Sequence, residues 1–417
     1  MKFIKVISLV LAILMFGCCF AACDNGNANT PDDPDTPDTP DTPDEPDTPD
    51  TPDTPDEPDE PDEPEPPSVE VDFSERKYDD ISSIKDKINI LGRCVIDDNG
   101  FLNAHWSYSG FEFAGWFKGN IVVSCVGHND ASLMVVIDED FDNAHYYSFN
   151  MKAENFELPE LSEGYHTVSI YRCNDARYAP IKFKGIEYNG LLDEERMPHS
   201  IKIEFIGDSI TCGTGVISPN GINDDAYYSY PAMLSRRLNA EISVVAVPGW
   251  SLSGPIASGA NTLIPRIYEM TAERMGVTTP WDFENNQVDC VVINLGTNDW
   301  TAYHAISDRV KLREDTSAFL DKVRSLYPNA YIYWTYGMMG GPFANDFKRV
   351  IYEKNDPMME FVDVFASQRG IGGHPDVEAH EEYADIFEEL IASHFATEIK
   401  NIYIDKYYAE KRAVVIK

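Results

Sequence analysis

The chain has 417 residues and a formal net charge of −38 at neutral pH. A surface this negative argues against nucleic acid or an anionic lipid surface as a partner, because like charges repel. Behind the N-terminal segments about 350 residues remain, which is enough for two domains with cores of their own.

The segment 1–23 predicts a secretory signal with a lipidation site. Two lysines precede an apolar run, Val6–Phe20, and small residues follow it. This charge and order are typical of a signal peptide, and the run is too short to indicate a membrane span. The residues before Cys23 resemble a lipobox, and Cys18 is a second candidate. We expect lipidation at one of the two, with ordinary cleavage and release as the alternative.

Residues 24–67 predict a disordered spacer. Between Pro31 and Pro67 the chain holds 17 acidic residues, 14 prolines and no basic residue. Such a segment stays extended because proline fixes φ and like charges repel. Signal and spacer together predict a lipoprotein on the extracellular face of a bacterial membrane, or a secreted protein. We expect membrane contact only through the lipid anchor.

Residues 68–190 predict an antiparallel β-sandwich of the jelly-roll type. Short segments of alternating apolar residues follow one another without long helical periodicity. Most aromatic residues here are expected in the core, and a few exposed ones could stack on sugar rings. The predicted strands are Phe111–Phe117, Asn120–Val126, Ser132–Asp138, His166–Cys173 and Ile181–Tyr188.

Residues 200–398 predict a flavodoxin-like three-layer α/β/α domain. Five apolar strands alternate with helical periodicity, which is the pattern of a doubly wound parallel sheet. The predicted strands are Ile201–Ile206, Ile242–Val247, Val288–Asn294, Tyr331–Tyr336 and Glu360–Val364. The predicted helices are Tyr230–Asn239, Thr262–Arg274, Thr316–Tyr327, Phe343–Glu353 and Val377–Phe395.

The C-terminal extension 399–417 and the cysteines carry weaker signals. The pattern of Asn401–Lys417 predicts one more strand and a mixed end, to which no function is assigned. The five cysteines behind the signal form no CxxC pair, so neither a metal cluster nor a full disulfide framework is indicated. We expect most of them to be small buried side chains, although secretion permits one or two bridges. No HExxH, P-loop or dinucleotide motif is present, so no metal or nucleotide cofactor is expected.

The first strand of the predicted parallel sheet is followed by Gly207-Asp208-Ser209. In an open α/β sheet the carboxyl ends of the strands line the crevice in which ligands bind. A serine at that point can expose its hydroxyl beside backbone N–H groups, and nucleophilic acyl transfer needs both. Taken alone, however, this tripeptide is a common turn.

Three further motifs follow strands at the same edge. Gly249 follows the second strand and can turn its N–H toward a pocket, and Asn298 follows the third and can donate its amide to an oxyanion. His374, held off a helix N-terminus by Pro375, has the placement of a general base. Each has an ordinary alternative as a turn, a helix cap or a satisfied polar residue. Four such motifs in order at one edge of the sheet nevertheless favour a catalytic site.

The positions Ser209, Gly249, Asn298 and His374 resemble blocks I, II, III and V of the SGNH (GDSL-like) hydrolases. This resemblance implies that Ser209 is the nucleophile and His374 the base. It also implies an oxyanion hole formed by the N–H groups of Ser209 and Gly249 with the Asn298 amide.

The region ahead of these blocks resembles carbohydrate esterase family 2, at Gly92-Arg93, Trp106-Ser107 and the run 163–168. Such enzymes place a jelly roll before the SGNH domain and remove acetyl groups from plant polysaccharides. The resemblance implies a monomeric serine acetylesterase acting on an acetylated polysaccharide or oligosaccharide. Candidate substrate-binding residues beside the blocks are Trp250, Asp299 and Trp300.

One position departs from the SGNH pattern. Many of these enzymes carry the triad aspartate three residues before the histidine, where this chain has Ile371. Family 2 includes members that lack the acid and orient the histidine through a backbone carbonyl. The resemblance therefore implies a Ser–His dyad, with Asp376 and Asp363 as substitutes to be tested. Asp376 is expected to cap the helix that begins beside it.

Two other functions stay open at this point. A lipase or thioesterase of the SGNH type would need a broad apolar cleft, whereas the aromatic-rich β module and the spacer suit a polymeric sugar. A carbohydrate-binding surface lipoprotein could also have kept the fold without the activity. Such a protein is expected to lose at least one of the four block residues, and all four are present.

Overall fold

The computed structural model describes residues 67–417, except residues 129, 150–153, 220, 222, 255–261 and 365–368. The predicted signal with Cys18 and Cys23 lies outside the described residues, as does the predicted spacer apart from its last residue. The described residues belong to one compact unit. The stretches 68–190 and 200–398, which differ in architecture, pack together within this unit.

The first part of the described chain is an antiparallel β module. It begins with β1 (Ser68–Val69), which lies outside the main sheet, and contains one short helix, α1 (Ile81–Ile84). The other eleven strands are β2 (Arg76–Asp80), β3 (Asn89–Leu91), β4 (Val95–Ile96), β5 (Leu102–Ala104), β6 (Gly110–Gly119), β7 (Val122–Val126), β8 (Ala131–Ile137), β9 (His145–Phe149), β10 (Glu154–Glu157), β11 (Leu161–Arg172) and β12 (Ile181–Leu192). These eleven strands form one hydrogen-bonded sheet with the central order β10-β7-β12-β6-β11-β8-β9, to which β2, β3, β4 and β5 are attached.

All five strands predicted in this region are present. The observed β6, β11 and β12 are longer than predicted because each pairs with more than one neighbour; β12 pairs with β2, β5, β6 and β7. The side chains of Phe111, Phe113, Val168 and Phe183 are fully buried in the module's core. Alternation of apolar residues therefore identified the strands, and partner strands decided where they end.

The second part is a parallel five-stranded sheet with the order β14-β13-β17-β18-β19. Its strands are β13 (Ile201–Gly207), β14 (Ala240–Ala246), β17 (Cys290–Asn294), β18 (Tyr331–Tyr336) and β19 (Met359–Asp363). The main helices are α2 (Tyr230–Leu238), α4 (Ile306–Leu326), α5 (Ala344–Lys354), α6 (Val377–Phe395) and α7 (Thr397–Arg412). The remaining elements are α3 (Ile264–Ile267), β15 (Met270–Ala272), β16 (Val277–Pro280) and β20 (Val415–Ile416).

Helices cover both faces of this sheet, which confirms the predicted three layers. Leu234 of α2 and Phe387 of α6 are buried with the strand residues of one face. Phe319 of α4 and Phe347 of α5 are buried against the other face. All five parallel strands run in one direction, so their carboxyl ends share one edge.

The predicted helix Thr262–Arg274 is wrong. Only α3 is α-helical there, and β15 and β16 follow as a hairpin, with the 3-10 turn Glu273–Met275 between them. Contacts from the β module explain the difference: the Trp106 indole N–H donates to the Thr271 carbonyl at 2.8 Å, and the Arg93 guanidinium donates to the Met270 carbonyl at 3.2 Å. These side chains need carbonyls that a continuous helix would have bonded internally.

The additional strand predicted within Asn401–Lys417 is present as β20, but it is short and most of the segment is helical. Residues up to Arg412 belong to α7, and only β20 is extended, pairing in parallel with β1. Ile404 and Tyr408 lie one helical turn apart on α7 and are buried against Trp116 of the β module. A run rich in aromatic and β-branched residues resembled a strand, but packing made it helical.

A buried ion pair joins the two parts of the unit. The Arg93 guanidinium bonds both carboxylate oxygens of Glu204 on β13, and neither side chain is exposed beyond 1%. Of the five cysteines behind the signal, Cys94 is partly exposed and the others are buried, as expected. No helix within the described part of the chain is both long and apolar enough to cross a bilayer.

Candidate active site

The structure brings Ser209 and His374 together at the carboxyl edge of the parallel sheet. Ser209 follows β13, and His374 lies just before α6. The imidazole Nε2 is 2.9 Å from the serine Oγ. Ser209 is 6% exposed, and His374 is partly buried. This is the hydrogen bond that a general base needs in order to take the serine proton.

A backbone carbonyl orients the imidazole. His374 Nδ1 is 3.1 Å from the carbonyl oxygen of Ile371, and since a carbonyl can only accept, Nδ1 carries the hydrogen. Nε2 is then the acceptor that faces Ser209. The arrangement matches the expected dyad.

Neither substitute carboxylate bonds to His374. Asp376 accepts from the backbone N–H of Ala379 at 2.9 Å, which makes it the N-cap of α6. It also pairs with Arg369 at 2.8 Å. Asp363 is half exposed and pairs with Lys348. The sequence prediction that Asp376 caps the helix is therefore correct.

Three predicted oxyanion donors follow the strands at this edge. Among the described residues, no acceptor is bonded to the backbone N–H of Ser209 or of Gly249. The Asn298 side-chain amide donates to the Trp250 carbonyl at 2.8 Å and, more weakly, to Asp208 Oδ2 at 3.2 Å. The two N–H groups are therefore free to donate, and the role of all three groups as an oxyanion hole stays a prediction.

Two buried carboxylates lie behind this site. Asp299, a predicted substrate-binding residue, is fully buried and accepts three backbone N–H groups, those of Leu252, Ser253 and Gly254, at 2.7–3.0 Å. It anchors the loop after β14 and does not face a ligand, which corrects the prediction. Burial raises the pKa of Asp208 to about 7, and the charge of Asp299 adds to the rise, against a hydrogen bond from the Ile210 N–H.

The two tryptophans differ in exposure. Trp300 is 51% exposed, while Trp250 is partly buried and packs against a core cluster. Trp300 is therefore exposed and Trp250 offers only part of its ring to the surface, and substrate binding by either residue stays a prediction. Within the described residues, no group of three or more His, Cys, Asp or Glu side chains is placed to hold a metal ion.

Sequence reasoning gave no role to Gly215, although it closes the first motif region. Its backbone supports the His374 loop, because the Ile371 N–H donates to the Gly215 carbonyl at 3.0 Å. Its φ of +80° favours glycine, and an added Cβ would lie 2.6 Å from the His374 Cβ. The pair of glycines Gly213 and Gly215 after Ser209 was the one signal that could have indicated this contact.

The fold and the arrangement of Ser209 and His374 resemble those of SGNH-type hydrolases. Residues 205–395, a little under half of the chain, match the model of the GDSL-like lipase/acylhydrolase family.

The chain as a whole is similar to carbohydrate esterases. It is 32% identical to the cellulase/esterase CelE of Acetivibrio thermocellus over 335 residues, which cover 74% of this chain but only 39% of CelE. It is 25% identical to the acetylxylan esterase / glucomannan deacetylase of Cellvibrio japonicus over 268 residues, 60% of this chain and 71% of that protein. A solved family two carbohydrate esterase from Clostridium thermocellum, in complex with cellohexaose, matches with a TM-score of 0.67 and 26% identity over 74% of this chain and 99% of that one.

Proposed function

We propose that the protein is a carbohydrate esterase that removes O-acetyl groups from plant cell-wall polysaccharides through an acyl-enzyme on Ser209. The single observation that carries this proposal is the 2.9 Å contact between His374 Nε2 and Ser209 Oγ, beside two backbone N–H groups without an acceptor among the described residues. The relative named acetylxylan esterase / glucomannan deacetylase supports the acetyl group and the polysaccharide.

The proposed reaction runs in two halves. Ser209 Oγ attacks the acetyl carbonyl carbon while His374 Nε2 takes its proton, and the N–H groups of Ser209 and Gly249 with the Asn298 amide stabilise the oxyanion. Collapse breaks the bond to the sugar oxygen, which takes the proton from Nε2 and leaves as a hydroxyl. Water, deprotonated by His374 Nε2, then attacks the acetyl carbonyl carbon of the ester. The bond to Ser209 Oγ breaks, Oγ takes the proton back from Nε2, and acetate is released.

The Ile371 carbonyl takes over one of the roles of a triad acid, which is to orient the imidazole of the histidine. It holds Nδ1–H and thus fixes the tautomer in which Nε2 can accept the serine proton. A neutral carbonyl stabilises the imidazolium less than a carboxylate would. The dyad therefore depends strongly on the position of this carbonyl.

Trp300 is proposed as a platform for a sugar ring. Its indole is half exposed two residues after Asn298, and aromatic faces bind the apolar faces of sugars. The relative in complex with cellohexaose supports a glycan chain as the ligand. We further propose that the β module is a jelly-roll sandwich, and that a lipid on Cys18 or Cys23 anchors the protein outside the cell.

The test is acetate release from acetylated xylan by the wild type and by Ser209→Ala. We expect release by the wild type and a loss of several powers of ten in the variant, since a covalent step is removed. A series of aryl esters from acetyl to octanoyl separates this function from a lipase, because an acetylesterase should prefer the shortest acyl group. Preference for the longest acyl group, or unchanged activity in Ser209→Ala, would refute the proposal.

A further inference from the structure

The loop that orients His374 is supported by the segment that follows Ser209. The Ile371 N–H donates to the Gly215 carbonyl at 3.0 Å, and the Gly370 N–H donates to the His374 carbonyl at 2.8 Å. A Cβ on Gly215 would lie 2.7 Å from the Ile371 oxygen, the atom that accepts from His374 Nδ1. The backbone of Gly215 thus packs directly against the carbonyl on which the dyad depends.

The position of Gly215 is set in turn by a carboxylate. Asp224 Oδ1 accepts from the Gly215 N–H at 3.0 Å, and Thr214 and Asp224 form an isolated antiparallel bridge. The backbone of residues 214–215 is therefore fixed from one side by Asp224 and contacts the His374 loop on the other.

Asp224 is held by the β module. Arg177, in the loop between β11 and β12, donates from one guanidinium nitrogen to Asp224 Oδ2 at 2.8 Å. The same guanidinium donates hydrogen bonds to both carboxylate oxygens of Asp175 at 2.7–3.2 Å, and Asp175 is 1% exposed. Because Asp175 is rigidly buried, the guanidinium is a fixed donor rather than a mobile surface charge.

We propose that Arg177 is a positioning residue for the dyad. It fixes Asp224 and with it the backbone of Gly215, so that the Ile371 carbonyl stays where His374 Nδ1 can donate to it. This inference rests on the proposed Ser209–His374 mechanism. It gives the β module a part in catalysis besides any contact with the polysaccharide.

Replacing Arg177 should affect both stability and rate, and the rate is the readout that tests positioning. Asp175 is 1% exposed and loses its cation when Arg177 is replaced, which lowers stability. A displacement of a catalytic group by about 1 Å can cost about 100-fold in rate.

The experiment compares Arg177→Ala with Arg412→Ala, in the full chain with an aryl acetate as substrate. Arg412 is a matched control, since it pairs with Glu139 at 2.8 Å with 41% exposure at the other end of the sheet. We expect kcat to fall about 10- to 100-fold in Arg177→Ala with KM changed less than about twofold, and no change in Arg412→Ala. Arg177→Ala should melt at a lower temperature than Arg412→Ala, because Asp175 is buried and Glu139 is not, so kcat is compared at a temperature at which both variants are fully folded. Arg177→Lys should recover part of the loss of kcat.

Asp224→Asn supplies a second variant on the same path. If Arg177 acts through Asp224, the double variant should lose no more than the worse single variant, because the two losses are not independent. Equal kcat in Arg177→Ala and Arg412→Ala, or a loss confined to KM, would overturn the inference. Losses of kcat that multiply in the double variant would also overturn the inference.

Ser209→Ala separates this inference from the proposed function. If Ser209→Ala is inactive while Arg177→Ala keeps full kcat, only the positioning role of Arg177 fails. If Ser209→Ala keeps its activity, the proposed mechanism fails first.

Discussion

The two edges of the parallel sheet are built in opposite ways. At the carboxyl edge Ser209 and His374 meet on loops whose geometry is fixed by backbone groups, and two N–H groups have no acceptor among the described residues. At the amino edge α7 is fastened by charged side chains: Lys400 donates to the Ser200 carbonyl, and Lys411 pairs with the buried Asp193, both at 2.8 Å.

The two edges therefore have different roles: contacts at the amino edge stabilise the fold, and groups at the carboxyl edge are left available for the reaction. Lys400 and Lys411 are satisfied by the partners just named, so replacing either lysine should lower stability and leave the rate unchanged. Polar groups at the carboxyl edge are partly unsatisfied or held without a counter-ion, which costs stability and leaves them available for a reacting ester. Each prediction below tests one side of this contrast.

The largest effect is expected at His374. His374→Ala should lower kcat by about 10⁴ or more, because base and nucleophile act as a unit. Asp363→Asn and Asp376→Asn are the matched controls and should stay within a few-fold of the wild type. Steady-state kcat on one acetylated sugar measures all three variants. A fall of about 10³ in either aspartate variant, with the fold intact, would show that a carboxylate serves the histidine after all.

Asn298 should come next. Asn298→Ala should lower kcat by about 10²–10³ with little change in KM, the usual cost of one oxyanion donor. The same substrate and assay apply, with circular dichroism to confirm folding. A change confined to KM would instead make Asn298 a substrate-binding residue.

Asp208 tests the stability cost at the carboxyl edge. A carboxyl group whose pKa is raised on folding, here from 3.8 to about 7, binds more protons in the folded state across that interval. The free energy of unfolding contributed by Asp208 therefore falls as the pH rises from about 4 to about 7.

Asp208→Asn removes this titration. The unfolding free energy of the variant relative to wild type should rise by about 3 kcal/mol over the interval, since one pKa unit corresponds to about 1.4 kcal/mol. Urea unfolding at several pH values measures it. Parallel curves for the two proteins would contradict the buried, ionising carboxylate described for this edge.

At the amino edge the smallest effect is expected, and only on stability. Lys411→Met should lower the free energy of unfolding by about 1–3 kcal/mol, because Asp193, whose side chain is 5% exposed, loses its cation. Lys406→Met is the control, since its pair with Glu410 is 3.7 Å long and exposed. Neither variant should change kcat. A loss of kcat in Lys411→Met would break the contrast between the edges.

Much of the carboxyl edge could be predicted from the sequence. Ser209, Asn298 and His374 each follow a strand or precede a helix, and parallel topology brings such positions to one edge whatever the details of the loops. The burial of Asp299 could not be predicted, because the three N–H groups that it accepts belong to a different loop.

Contacts between the two parts of the unit account for the other failures. Trp106 and Arg93 donate hydrogen bonds to backbone carbonyls in the segment predicted as the helix Thr262–Arg274. The helix α7 forms because its apolar side chains pack on the β module. The link from Arg177 to Gly215 likewise joins segments far apart in sequence. Local propensity contains no information about such partners.

The central claim is that Ser209 carries the acyl group and that His374, oriented by a carbonyl, activates it. The most direct measurement is rapid quenching of the enzyme with an aryl acetate, followed by peptide mass spectrometry. The account predicts one acetyl group on the peptide that contains Ser209 in the wild type, and none in His374→Ala over the same interval. An acetyl group on another residue, or equally fast labelling of Ser209 in His374→Ala, would contradict it.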